Sequence, residues 1–321
     1  MRYRIASILK IHLFRAHFFR RGFLISVFVL AFFTSASACN VYSEGPDEDR
    51  LVKDFFRNLY DFSFQRADSL ITIMEDLRTD RSTLLIVKAD LAWWRLLSGD
   101  NTEVNMKICI DNIDESIRTN LKDDHPDINT LFNIIYSYSL KVRLDNYKGN
   151  SIGAFINFYR SSAFIEKCRN VNITDEKFAL VLGMYYYFIS YIGHKYFLLN
   201  TFLFSLPDGD REKGLSYLVK CSGSSDDVIR TEADYFLMKI YSEAEKEYSK
   251  ALDYARIISG MHPDNPVYSL EVLRLMMKMK QYREAAVTGK ELVDRITRAK
   301  KLNDAQKKHF LKQVELISKR R

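Results

Sequence analysis

Near its C-terminal end the sequence repeats itself. EYSKALDYARII (247–258) and QYREAAVTGKEL (281–292) place Tyr248 and Tyr282 34 residues apart, and Ala251 and Ala285 at the same spacing. A unit of that length holds two helices and cannot bury its own apolar face, so successive units must stack. The aromatic residue wedges between helices, while the small Ala lets paired helices approach closely. His262-Pro263-Asp264-Asn265-Pro266 makes a turn between the units, and Tyr268 to Met279 supplies Val272, Leu275, Met276 and Met279 at helical spacing. The rest of the chain fits an all-α fold: 321 residues carry only 12 Gly and 5 Pro, and no convincing alternating strand occurs.

The period, the aromatic and Ala positions, and Pro263 twelve residues after Ala251 resemble the tetratricopeptide repeat. The family's first-helix Trp and Gly are absent, and one extra residue separates Tyr241 from Ala251. Phe64-Gln65-Arg66-Ala67 echoes the same helix start, with Asp68 to Leu77 as its helix. Arg211-Glu212-Lys213-Gly214-Leu215 echoes it with Gly for Ala, after a turn and N-cap at Gly209-Asp210. Further caps are expected at Thr174-Asp175-Glu176 and Ser224-Ser225-Asp226-Asp227. The resemblance implies a superhelical array of antiparallel helix hairpins over residues 50–297, with a concave surface for ligands. Residues 298–321 are then expected to form a capping helix. Asn303 caps it, Phe310, Val314 and Ile317 form its apolar stripe, and lysines and arginines surround that stripe. The bland reading of those cations is a solvated face; the functional one is attraction to anionic lipid or sugar-phosphate.

The N-terminus reads as an address. Residues 1–22 carry six basic residues and no acid, Phe23 to Phe33 is apolar, and Thr34-Ser35-Ala36-Ser37-Ala38 is a small-residue run. That layout is a secretory signal over 1–38, and its uncharged stretch is shorter than the ~20 residues of a spanning helix. Ala36-Ser37-Ala38 suits ordinary signal peptidase, and Ala36-Ser37-Ala38-Cys39 resembles the bacterial lipobox, which implies lipidation of Cys39. Residues 39–49 are then a lipidated tether broken at Gly45-Pro46. Removing the leader's six basic residues from 48 leaves 42 against 41 acidic, so the basic pI belongs to the leader and no nucleic-acid partner is expected. Cys109, Cys168 and Cys221 match no metal or redox spacing and are expected as buried thiols.

FALVLGMYYYFISYIGHKYFLLNTFLFSLPDGDREKGLSYL (178–218) is apolar on all sides of its first helix. Core packing, an aromatic groove for a peptide or apolar ligand, and membrane contact are the three readings. Gly183, Tyr185, Pro207, Gly209, Asp210, Arg211, Glu212, Gly214 and Leu215 also resemble a signature of a wider tetratricopeptide-like group, which implies a scaffold. Trp94 shares a helical face with Leu84, Val87 and Leu91 and is expected in the core, whereas Trp93 points about 100° away and can anchor a ligand.

No HExxH, GxSxG, CxxC or phosphate-cradling Gly loop is present. Asp208-Gly209-Asp210 starts like a calcium loop, but Lys213 stands where its Gly is needed. No enzyme, cofactor or metal is therefore expected. The reading is a non-enzymatic, membrane-anchored scaffold of the bacterial envelope, an outer-membrane lipoprotein facing the periplasm. It would bind a protein or peptide partner through Trp93, Tyr185, Tyr187, Tyr191 and Tyr282. The alternative is an accessory subunit of a transport system that handles a small apolar solute in a helical cavity.

Overall fold

A computed structural model describes residues 46–168, 175–195, 206 and 208–319. These form thirteen α-helices and no strand among the described residues: α1 (Pro46–Tyr60), α2 (Phe64–Asp76), α3 (Arg81–Leu97), α4 (Thr102–Asn120), α5 (Ile128–Tyr147), α6 (Ser151–Cys168) and α7 (Glu176–Lys195). After them come α8 (Arg211–Ser222), α9 (Asp227–Lys239), α10 (Tyr248–Met261), α11 (Pro266–Lys278), α12 (Tyr282–Arg298) and α13 (Asp304–Ser318). Cys39 and Pro207 lie outside the described residues. Pro46 is the first residue of α1, so 46–49, expected in the tether, belong to a helix; proline's fixed φ and missing N–H suit that position.

Each helix packs on its neighbours in the chain, and their starts are chemically marked. Asp80, Asp127, Asp210, Asp226 and Asn265 each accept from a backbone N–H of the first turn. Asn303 and Gln306 form a reciprocal capping box. Asp175 accepts from Lys177 N at 2.9 Å ahead of α7.

Four turns share one geometry. A residue in the left-handed region (Phe62, Gly149, Lys246, Lys280) precedes the helix start by two positions. Three residues into each helix stands a buried alanine: Ala67, Ala154, Ala251 or Ala285. The recurrence thus marks one turn-and-alanine geometry, and that geometry occurs at two further places upstream. The extra residue between Tyr241 and Ala251 is absorbed by a π-helical turn, Ile240–Ala244, closed by Glu245 N donating to Ile240 O at 3.0 Å.

Helices α7 and α8 meet closely through glycine. A Cβ on Gly214 would lie 2.5 Å from Tyr187 N and 2.7 Å from Gly183 O, and one on Gly209 would lie 2.1 Å from Ser190 N. Arg211 and the Tyr187 hydroxyl both donate to Glu245, at 2.9 and 2.7 Å to Oε1, tying this pair to the π turn. The apolar length of α7 is accordingly core: Tyr185 and Tyr187 are fully buried.

The two ends of the described chain meet. Arg57 of α1 donates to Asp227 of α9 at 2.8 Å, and Asn265 Nδ2 donates to Tyr60 O at 2.8 Å. His262 bridges Asp61 (2.7 Å) and Thr231 (2.9 Å). The last helix reaches the first hairpins: Phe310 packs on Phe62 with ring centroids 5.9 Å apart, and Gln306 Nε2 donates to Ser98 Oγ at 2.9 Å. The apolar stripe Phe310, Val314 and Ile317 is buried as expected, but part of what covers it is the start of the chain.

Candidate functional site

Because the ends meet, α3, α5, α9, α11 and α13 surround a cavity of about 410 Å³, within the size range of small-molecule sites. Aromatic side chains line it: Trp93 and Trp94 from α3, Tyr147 from α5, Tyr235 and Tyr268 from α9 and α11, Phe310 from α13. Trp93 meets Tyr147 edge-to-face at 5.8 Å, and Trp94 meets Tyr268 in the same manner at 5.9 Å. The deep wall holds Trp94, Arg143, Glu232 and Tyr268, all buried; Asn146, Tyr147, Arg274, His309 and Gln313 are the more exposed, outer part.

The deep wall is polar at its centre. The Tyr60 hydroxyl donates to Glu232 Oε1 at 2.5 Å, while Glu232 Oε2 and Trp94 Nε1 are buried without a hydrogen-bond partner. Just behind it, the Tyr136 hydroxyl donates to Asp90 Oδ2. Burial pushes the Glu232 carboxyl up to about 8, against the pull of Arg143 and the Tyr60 hydrogen bond and with a further push from Asp90. Burial likewise raises Asp90 to about 7, opposed by Arg143 and Tyr136. The two carboxyls therefore face one guanidinium while each holds its proton near neutral pH for much of the time.

A second charged group sits nearer the outer part. Lys239 Nζ donates to Glu271 Oε1 at 3.0 Å, and Arg274 Nη1 donates to the same oxygen at 2.8 Å. Burial works against the Glu271 charge, yet Lys239 and Arg274 pull its pKa down to about 2. Burial opposes the Lys239 charge too, and Glu271, Tyr235 and Glu243 outweigh it, holding the ammonium above the usual lysine range. Lys239 also pairs with Glu243 at 3.5 Å, so two cations face two carboxylates and the group is balanced.

Of the aromatic residues expected at a binding surface, only Trp93 reaches this cavity. Tyr185 and Tyr187 are 0% exposed in the α7–α8 contact; Tyr191 stacks on Tyr187 at the end of α7, half-buried. Tyr282 stands 43% exposed on α12. The structure does not bring the five together. Sequence reasoning missed Asp90, Arg143, Glu232 and Glu271. Their signal was a charge on an apolar helical face: Asp90 falls three residues after Val87 and four before Trp94, and Glu232 falls midway between Val228 and Phe236.

A second hollow near the α10–α11 turn carries Arg295, Arg298, Lys300 and Lys301, but Asp264 engages Lys301 at 2.7 Å, and Arg295 donates to Pro263 O and Ser269. Cys109, Cys168 and Cys221 are buried free thiols, pushed up to about 12 by burial. Among the described residues no cluster of His, Cys, Asp and Glu could hold a metal ion, and no helix is long and apolar enough to cross a membrane. No protein-family model, curated protein or solved structure matches the chain.

Proposed function

We propose that this chain is a non-catalytic binding protein of the bacterial envelope, a tetratricopeptide-like helical array that holds a small solute in the cavity between α3, α5, α9, α11 and α13. A lipid on Cys39 tethers it, and it serves a transport system as a solute-handling accessory. The observation that carries the reading is the cavity itself, about 410 Å³ and lined by Trp93, Trp94, Tyr147, Tyr235, Tyr268 and Phe310. Aromatic walls of this kind bury the apolar surface of a solute over a large area at low conformational cost.

Native mass spectrometry on the protein extracted from its own membranes tests the reading. A small-molecule adduct should be present, and it should vanish in Leu97→Trp, which fills the cavity from the α3 side while keeping the helical circular dichroism signal. Bare protein in both cases would sink the idea. The tether is tested separately: Cys39→Ala should move the protein out of the membrane fraction, and retention there without lipid label would refute anchoring at that residue.

One observation favours a second reading, a scaffold for a protein or peptide. Tyr282 is exposed at the head of a repeat helix, and Val287 on the same helix is 60% exposed. A stoichiometric envelope protein cross-linked through position 282, with no adduct in the cavity, would shift the function to that outer face.

A further inference from the structure

The side chains around the cavity combine two chemistries and nearly omit a third. Of the described residues that line it, six are aromatic and eight are polar or charged, while Leu97, Val267 and Leu270 alone are aliphatic. A wholly apolar solute would take water from those polar groups and return no hydrogen bonds. Their charges are also matched. Lys239 meets Glu271 at 3.0 Å and Glu243 at 3.5 Å, Arg274 meets Glu271 at 2.8 Å, and Arg143 faces Asp90 and Glu232. A charged solute would disturb pairs that already balance. These groups are within reach of a solute. The side chains of Glu271, Lys239 and Arg274 keep 12, 15 and 35% of their surface open, and Arg274 Nη2 donates to Gln313 Oε1 at 3.4 Å. A hydroxyl suits such a setting, since it can donate to the carboxylate and accept from the cation beside it. The aromatic part asks for an apolar face. Tyr147 is 48% exposed, with the Trp93 ring nearly perpendicular to it at 5.8 Å, and the electron-rich face of such rings attracts polarised C–H bonds.

We propose, resting on the solute-holding reading above, that the cavity takes an uncharged sugar, a mono- or disaccharide. A pyranose ring unites what these walls ask for: a face of C–H bonds, a rim of hydroxyls and no net charge. Its C–H face lies on Tyr147 and Trp93, and its hydroxyls bond the Lys239–Glu271–Arg274 group and Gln313. The balanced pairs also select against charged sugars. A uronic acid brings its carboxylate against Glu271, and an amino sugar brings its ammonium against Lys239 and Arg274.

An array of immobilised mono- and disaccharides, neutral, uronic and amino, probed with the full chain in fluorescent lipid nanodiscs, tests the proposal. The protein should bind members of the neutral set, and competition by the same free sugar should give an affinity that stays level as salt is raised, since no net charge is exchanged. Tyr147→Ala should weaken that affinity about tenfold, the size expected for one lost ring contact, while Tyr147→Phe keeps it. Tyr147 is half exposed, so both variants should fold, which circular dichroism checks. Preference for the uronic or amino sugars, or undiminished binding in a folded Tyr147→Ala, overturns the proposal. A silent array with a native adduct that yields no sugar on hydrolysis removes the ligand class and leaves the solute reading standing. A silent array with bare protein in the native mass spectrum removes both.

Discussion

At the residue scale, the most consequential group is Glu232. Its unperturbed carboxyl would titrate near 4.5, and in the folded protein it titrates at about 8 because burial disfavours the charge. Between those values the folded state holds a proton that the unfolded chain releases, so stability is fully present below about 4.5 and declines as pH rises towards 8. Asp90 behaves alike from 3.8 to about 7. The melting temperature should therefore fall from pH 5 to pH 8.5, and Glu232→Gln should flatten that fall; parallel curves for the two proteins would show that Glu232 is ionised throughout. Such a residue was hard to read from the chain alone. Glu232, one of two acids in VIRTEADYF (228–236), looks like a surface position until its neighbours place it inside.

At the element scale, the helix boundaries were the legible part. Asp210, Asn303 and the Asp226 region cap as their side chains suggest, because capping is local chemistry between a side chain and its own first turn. The Tyr-x-x-Ala recurrence marked a turn geometry that reappears at Phe62, where Phe64-x-x-Ala67 keeps the aromatic, and at Gly149, where only Ala154 survives as a cue. The glycines of α7 and α8 were legible as a pattern but not as a cause, which is backbone contact. Gly214→Ala should force Tyr187 and Gly183 apart and destabilise by about 1–3 kcal/mol, as overpacking does. A denaturation midpoint equal to wild type would mean that the two helices are not held at this distance. Packing also explains Tyr185 and Tyr187: a helix apolar on all sides is buried on all sides, and no partner can reach those rings.

At the scale of the whole molecule, the cavity needs residues from positions 93 to 313, and no local pattern announces a meeting across that distance. It exists because α13 returns to the α1–α3 region. Phe310→Ala would open the Phe62 contact and cost about 3–5 kcal/mol, and hydrogen exchange should then quicken in α1–α3 together with α11–α13. Faster exchange confined to α13 would show that the last helix is an appendage. The same return contact orders events in time. Hairpins such as α11–α12 can form as soon as they emerge, since their contacts are local. Tyr60 and Phe62 find Asn265, Glu232 and Phe310 only after some two hundred further residues have been made, and contacts that distant close slowly. The first helix thus spends the synthesis of nearly the whole chain with part of its sticky face uncovered, and exposed apolar surface of that kind invites aggregation until the later helices arrive.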